Sequence, residues 1–593
     1  MRVPTTVLFT LLILGALPAP GDAAAAAGQE PASEVPEEAA GLEAAAVACD
    51  HGALADLEVI DLHAHVLNLD YVPLKGLFYG VGIPWPLAGK LARLLHGATP
   101  TIDPTAAPRP AAIPPAEELA GMSREQLTAR VEDRLLAHDP GAVERLERYR
   151  PRLSKALARH RLREEVEADA ALAAEPVRQE TVQQTLERQY AAQSGTDLLA
   201  ELLYLTLLRD EEDPASILLA PAAEPASVRG VFRTIEVLMS DEAEIVARAK
   251  QDFPEVDLFV HHMMDLERVY DDPPPLSFGD QIRHAQWLGR AFEGQLAMFV
   301  AFDPFRRGYA LANQGLAAGA AGVKFYPPSG YRPRSTPLPP KPKLRVPITA
   351  SWGQRDQYRS RYRDFDGPKI DALTLEFFAH AASKGVPIFS HHTDQGLEAH
   401  RGYGRQMGEP CHWQKVFRKL AEEADGEEDP PPLTVILAHS GGPGSWIAND
   451  AEGWRSPFAL QAYNLCVTYE NVYCDLGFAP PILDADGPGN FARRLERLLS
   501  KRVDPARPIP EDLCAVTEEV EPRYDLGTKL VYGSDWLVMR DARRADVACR
   551  FDEAFEAPAL EPYRAAFFGG NARRALGMAP APPAQPPGAV PMQ

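Results

Sequence analysis

Two histidines, His63 and His65, stand two residues apart in "VIDLHAHVLN" (59–68), where an apolar run ends. In a strand, side chains i and i+2 share a face, so both imidazoles can aim at one point. One such point is a metal ion; two solvent-facing histidines at a strand end are the alternative this pair leaves open by itself. Further candidates sit where other apolar runs end: Lys324 in "AGVKFY", His391 and His392 in "VPIFSHH", His439 in "LTVILAH" and Asp535 in "TKLVYGSD". Neutral imidazoles with a carboxylate suit a divalent ion of the zinc type that keeps a position for water. Asp61, two residues before His63, is expected on the same face, as a buried acceptor that orients an imidazole.

Positioning such residues takes a scaffold, and the chain has one written into its periodicity. Short apolar runs rich in Val, Ile, Leu and Phe occur at 57–63, 256–263, 295–302, 321–326, 386–392, 433–439, 471–478 and 528–535. They read as strands buried on both faces. Most intervals carry a helical pattern, as in "EAEIVARAKQDF", "GYALANQGLAAG", "DALTLEFFAHAASKG" and "CHWQKVFRKLAEEAD". Strand and helix alternating eight times predict an α/β fold, a closed (β/α)8 TIM barrel over 51–66 and 250–578. In that fold the chemistry lies at the C-terminal ends of the strands. The candidates above fall there, which a random scatter of the chain's 15 histidines would rarely produce.

Residues 67–249 separate the first two strands and form a large insertion. Strings such as "REQLTARVEDRLLAH" and "RQETVQQTLERQYAAQ" predict helices in it, a cap beside the barrel mouth with solvated charged faces. A second insertion, about 327–369, is basic: Tyr331 to Ile370 hold ten Lys/Arg against three Asp/Glu. Its arginines would either recognise an anionic group of a substrate or pair with the acidic helices of the cap. His262, Tyr326, His412 and Trp446 are read as pocket lining or as packing, and His261, His284 and His380 as structural.

Residues 1–25 resemble a secretory signal: Arg2, an apolar core from Val7 to Leu17, then small residues. An Ala/Glu/Pro-rich linker (26–50) follows, and 579–593 reads as a disordered tail. The expected location is periplasmic or secreted, with no membrane span once the signal is removed. In that setting some of the six scattered cysteines are expected in disulfides, with no pairing legible and buried thiols as the alternative. A formal net charge of −22 argues against nucleic acid as a partner and leaves a small molecule as the expected substrate. Oligomeric state is not written in the chain.

The order His-x-His, Lys, His, His, Asp on successive strands resembles the amidohydrolase superfamily. "LAHSGG" (437–442), "VYGSDW" (531–536), "FFGGNARRALGM" (567–578) and "GVKFYPPSGYRP" (322–333) are similar to strings of its amidohydrolase-related group, which includes aromatic-acid decarboxylases. The resemblance implies metal ligands at His63, His65, His391, Asp535 and His439. It prefers His391, four residues after Pro387, to His392; adjacent strand residues face opposite ways, so one alone would ligate. His439 is a ligand or an orienting group. Asp535 would both ligate and carry the proton from water to the leaving group. Lys324 either bridges two metals as a carboxylated lysine, as in some relatives, or stays a cation that holds a substrate carboxylate or polarises a carbonyl. One divalent ion, zinc by its donors, is favoured over two.

The implied activity is metal-dependent hydrolysis of an amide, ester or lactone bond. The alternatives are a metal-dependent non-oxidative decarboxylase and a non-catalytic exported protein built on the barrel.

Overall fold

A computed structural model describes residues 51–579, apart from 112–121, 209–232, 268–271, 307, 338–366, 395, 399–401, 424–431 and 537–543. The expected signal and linker, most of the basic stretch and the tail from 580 onward lie outside the described residues.

The eight expected strands are present: β1 (Ile60–Ala64), β2 (Leu258–His262), β3 (Leu296–Phe302), β4 (Gly322–Phe325), β5 (Ile388–His391), β6 (Val435–Ala438), β7 (Val472–Asp475) and β8 (Leu530–Val531). They form one parallel sheet in sequential order. The chain after β8 returns to β1: Leu62 N–H donates to Tyr532 O at 3.1 Å, Asp535 N–H to His63 O at 2.7 Å and His65 N–H to Trp536 O at 2.5 Å. An isolated parallel bridge, Ala64 with Trp536, completes the closure. The fold is therefore the expected (β/α)8 barrel, with its candidate residues at the C-terminal rim.

Alternation along the strands fills the barrel. Ile60, Val260, Phe299, Phe389, Ile436 and Val531 pack in one interior cluster, floored by Ala572 and Ala575. Leu62 belongs to that cluster too. This places Asp61 on the other side of β1 and corrects its expected orientation. The β1–β2 pairing shifts register between Asp61 and Ala64, which breaks the period of two along this strand.

Among the described residues, six helices of eight residues or more precede β2: α1 (Trp85–Ala98), α2 (Arg124–His138), α3 (Ala142–Ala168), α4 (Pro176–Ala191), α5 (Gly195–Leu203) and α6 (Glu242–Asp252). The first charged string of the insertion is α2 itself, opened by a capping box between Ser123 and Gln126. The long α3 packs on α4 and α5. The barrel helices follow: α7 (Phe278–Ala291), α8 (Ala310–Ala317), α9 (Gly367–Ser383), α10 (His412–Glu423), α11 (Pro457–Thr468), α12 (Gly487–Leu499) and α13 (Val547–Ala554). His284 of α7 pairs with buried Glu242 of α6 at 2.9 Å, a structural role as expected.

Disulfides join Cys411 to Cys514 and Cys466 to Cys474, Cys549 is also bonded, and no described cysteine is free. Among the described residues no helix is long and apolar enough to cross a membrane.

Candidate metal centre

His63, His65 and Asp535 come together at the rim between β1 and β8, with one donor atom from each inside a 4.8 Å group. Asp535 Oδ1 lies 3.3 Å from His63 Nε2 and 3.3 Å from His65 Nε2. The far nitrogens decide what these contacts are. His65 Nδ1 lies 3.0 Å from the carbonyl of His262, which can only accept, so the ring proton sits on Nδ1. His63 Nδ1 lies 2.8 Å from Asp475 Oδ2. The facing atoms are then two imidazole lone pairs and a carboxylate oxygen, with no proton between them. His63 Nε2 and Asp535 Oδ1 are buried without a hydrogen-bond partner. Three electron-rich atoms held together away from water are destabilising unless a cation joins them. The donor set fits a divalent ion, with the opposite ring nitrogens tied down as such ligands require.

Backbone strain aims these groups. Asp535 has φ 55°, and at the end of β6 His439 has φ 58° and Ser440 φ 46°. A non-glycine residue in the left-handed region costs roughly 1–2 kcal/mol, and such residues concentrate at functional sites. Two glycines make room for the His63–Asp475 pair. A Cβ on Gly477 would lie 2.5 Å from His63 Nδ1, and one on Gly533 would lie 2.2 Å from Asp475 Oδ1. Neither "DLGF" nor "YGSD" tolerates a side chain at that glycine without moving the pair.

Asp475, the last residue of β7, was not among the sequence candidates. It is fully buried, receives His63 on Oδ2, and also accepts the N–H of His439 at 3.1 Å on Oδ2 and of Gly477 at 3.1 Å on Oδ1. Burial pushes its carboxyl up, while the two backbone N–H donors and the His63 ring favour the carboxylate that accepts from them. Its signal was a lone Asp at a strand end, in "NVYCDLGF", with no histidine nearby in sequence. Asp61 has a different task from the one expected. Instead of an imidazole it holds backbone: it accepts His63 N–H at 3.0 Å, Ser534 N–H at 2.9 Å and the Ser534 hydroxyl at 2.5 Å.

His439 donates through Nδ1 to Gly477 O at 3.0 Å, so Nε2 carries the lone pair; it faces His391 Nδ1 at 3.2 Å. Burial, then the Lys324 charge among the lowering influences, hold its pKa down at about 4 although Asp535 opposes them. Its ring centroid is 4.6 Å from that of His63. His391 lies one residue further out, across His439, outside the His63–His65–Asp535 group; its Nε2 is 3.1 Å from the Thr393 hydroxyl. His392 has no nitrogen to offer: Nδ1 contacts Gly408 O at 2.7 Å and Nε2 receives the Trp413 indole N–H at 2.8 Å.

Lys324 is buried in the barrel with Nζ 4.5 Å from the Phe389 ring centre. Burial lowers its pKa to about 8, against the attraction of Asp535 and Asp475. Burial first and the Lys324 charge second keep His63 and His262 well below the usual histidine range. His262 donates through Nε2 to Leu62 O at 2.7 Å and stacks on Phe389 at 3.8 Å, which makes it part of the wall. Tyr326 lies beside His391 and accepts Leu397 N–H at 2.6 Å. His412 clusters with Cys411 and Cys514, but those sulfurs form a disulfide and the cluster is no metal site.

Residues 285–578 match the family model Amidohydro_2, described as Amidohydrolase. That span holds Lys324, His391, His439, Asp475 and Asp535 and begins after β1 and β2. No curated protein matches the chain. Among solved structures, the chain is similar to a probable 2-pyrone-4,6-dicarboxylic acid hydrolase from Acinetobacter baumannii with citric acid bound: 11% identity, TM-score 0.28, covering 56% of this chain and 89% of that one. It is similar also to a structure from Lactobacillus casei ATCC 334 named as a metal-dependent hydrolase: 12% identity, TM-score 0.32, covering 89% and 97%. Both likenesses are too distant to locate a site.

Proposed function

We propose that this chain, whose barrel belongs to the amidohydrolase superfamily, is a metal-dependent hydrolase that cleaves an amide, ester or lactone bond of a small molecule. The observation that carries this reading is the trio of unprotonated atoms on His63, His65 and Asp535. A divalent ion of the zinc type at those atoms would bring the pKa of a water down to about 7 and so supply hydroxide at neutral pH.

The chain's own residues do the rest. Asp475 holds His63, and the His262 carbonyl holds His65, so that each imidazole presents Nε2. Asp535 is the acceptor for a water proton and the group that returns it to the leaving atom. Neutral His439, fixed by Gly477 O, faces the same space and orients the reactants. Lys324 is the cation for a substrate carboxylate or a polarised carbonyl. One ion is favoured, with a second reachable at His391 and His439. Export is part of the proposal: the signal-like N-terminus and a chain without free described cysteines suit an oxidising compartment.

The test is product analysis of the metal-loaded protein on a panel of esters, lactones, amides and aromatic carboxylates. Hydrolysis products are expected. Carbon dioxide from a carboxylate, with no hydrolysis anywhere in the panel, would replace this reading with the decarboxylase.

A further inference from the structure

We propose that Asp252, at the end of α6, positions the site carboxylate Asp535 through the indole of Trp536. The inference rests on the metal-site reading above and adds to it a residue from outside the matched span. Trp536 is almost wholly buried, and its Nε1–H donates to Asp252 Oδ2 at 2.8 Å. Asp252 is itself anchored, by its helix and by the Arg233 guanidinium on Oδ1.

Asp535 stands between two residues that are each pinned. On its N-terminal side Ser534 gives its N–H and its hydroxyl to Asp61. On its C-terminal side Trp536 gives its N–H back to Ser534 Oγ at 2.9 Å, takes His65 N–H on its carbonyl at 2.5 Å, and is held at its far end by Asp252. Asp535 itself gives its N–H to His63 O at 2.7 Å. Between these anchors it adopts φ 55°, which an isolated aspartate would leave for negative φ. Relaxing that one torsion would swing its carboxylate away from the two imidazole nitrogens 3.3 Å distant. The main-chain bonds fix where the segment runs. The indole bond fixes the orientation of the residue that follows the strained one, and its acceptor comes from the helix that ends the inserted region.

A purely packing role for Trp536 would need the ring but not the N–H. Trp536→Phe keeps a buried ring and removes the donor; Asp252→Asn keeps an acceptor oxygen without the charge; Asp252→Leu removes the acceptor. Zinc binding to each metal-stripped protein, measured by calorimetry, is expected to weaken about tenfold in Trp536→Phe and Asp252→Leu and to stay within about twofold of wild type in Asp252→Asn. The cobalt-loaded visible spectrum should change in the first two and stay that of wild type in Asp252→Asn. Should Trp536→Phe not fold, Asp252→Leu reads the same bond from its other end. Wild-type affinity and an unaltered cobalt spectrum in the folded variants overturn the positioning role alone. A wild-type protein that binds no zinc overturns the metal site and this inference with it.

Discussion

In the inserted region Glu236 is fully buried and faces three guanidinium groups: Arg134 at 2.8 Å, Arg130 at 3.0 Å and Arg248 at 4.0 Å. Burial alone would raise its carboxyl; the arginines outweigh that and hold it below the usual range. At the barrel mouth Asp535 and Asp475 are just as hidden, yet the one cation beside them, Lys324, makes no ion pair with either within 4 Å among the described residues. The insertion thus balances its buried charge with its own side chains, and the barrel mouth leaves its own for something from outside. A buried cluster that stays electron-rich after every partner is assigned is the physical mark of a ligand site. A balanced one marks a joint between elements, here α2 and α6 with the segment between them.

Removing one partner from the balanced cluster should have the largest effect. Glu236→Ala is expected to cost about 3 kcal/mol, because Arg130 and Arg134 lose the buried carboxylate they share, and Arg248 keeps only Glu244 at 2.9 Å. Denaturant unfolding measures it, and zinc binding in the folded fraction should not change. Acid does the same reversibly. The Glu236 pKa is depressed in the folded state, so its contribution is present above the usual value near 4.5 and is lost as pH falls through the depressed value.

An intermediate effect is expected from Asp475→Asn, which keeps the shape but weakens the acceptor that fixes His63. Zinc affinity should fall between about tenfold and about a hundredfold, read by competition with a chelator. An unchanged affinity would make Asp475 a packing residue, no different in kind from Glu236 of the inserted region.

The smallest effect belongs to His392→Gln. Both of its ring nitrogens are already bonded, so metal content should not change, and stability should fall by about 1 kcal/mol for the lost bonds to Gly408 and Trp413. Loss of metal in this variant would return His392 to the ligand set.

How much of this was legible depends on how local the signal is. Strands and barrel helices were readable because burial on both faces, or on one stripe, repeats at a fixed period; the string from Arg124 to His138 is a helix from end to end. His63, His65, His439 and Asp535 were readable because they close apolar runs. Asp61 is misplaced by a strict period of two because the pairing of β1 shifts register between Asp61 and Ala64, and nothing in "VIDLHAH" announces it. Asp475 was missed because its partners lie far off in sequence: His63 is 412 residues away, and only the closed barrel brings them together. Asp252 is hidden for the same reason, 284 residues from Trp536. His391 and His392 could be ranked by family spacing only, whereas the bonds to Gly408 and Trp413 distinguish them on geometry.

His63, His65 and Asp535 are the donor set that the proposed divalent cation would take. Calorimetric titration of zinc into the metal-stripped wild type and into His63→Ala, His65→Ala and Asp535→Ala tests it most directly. One ion per chain is expected at the strongest site of the wild type, with loss of that site in each variant. Zinc binding that survives all three substitutions, or a folded wild type that binds none, would contradict it.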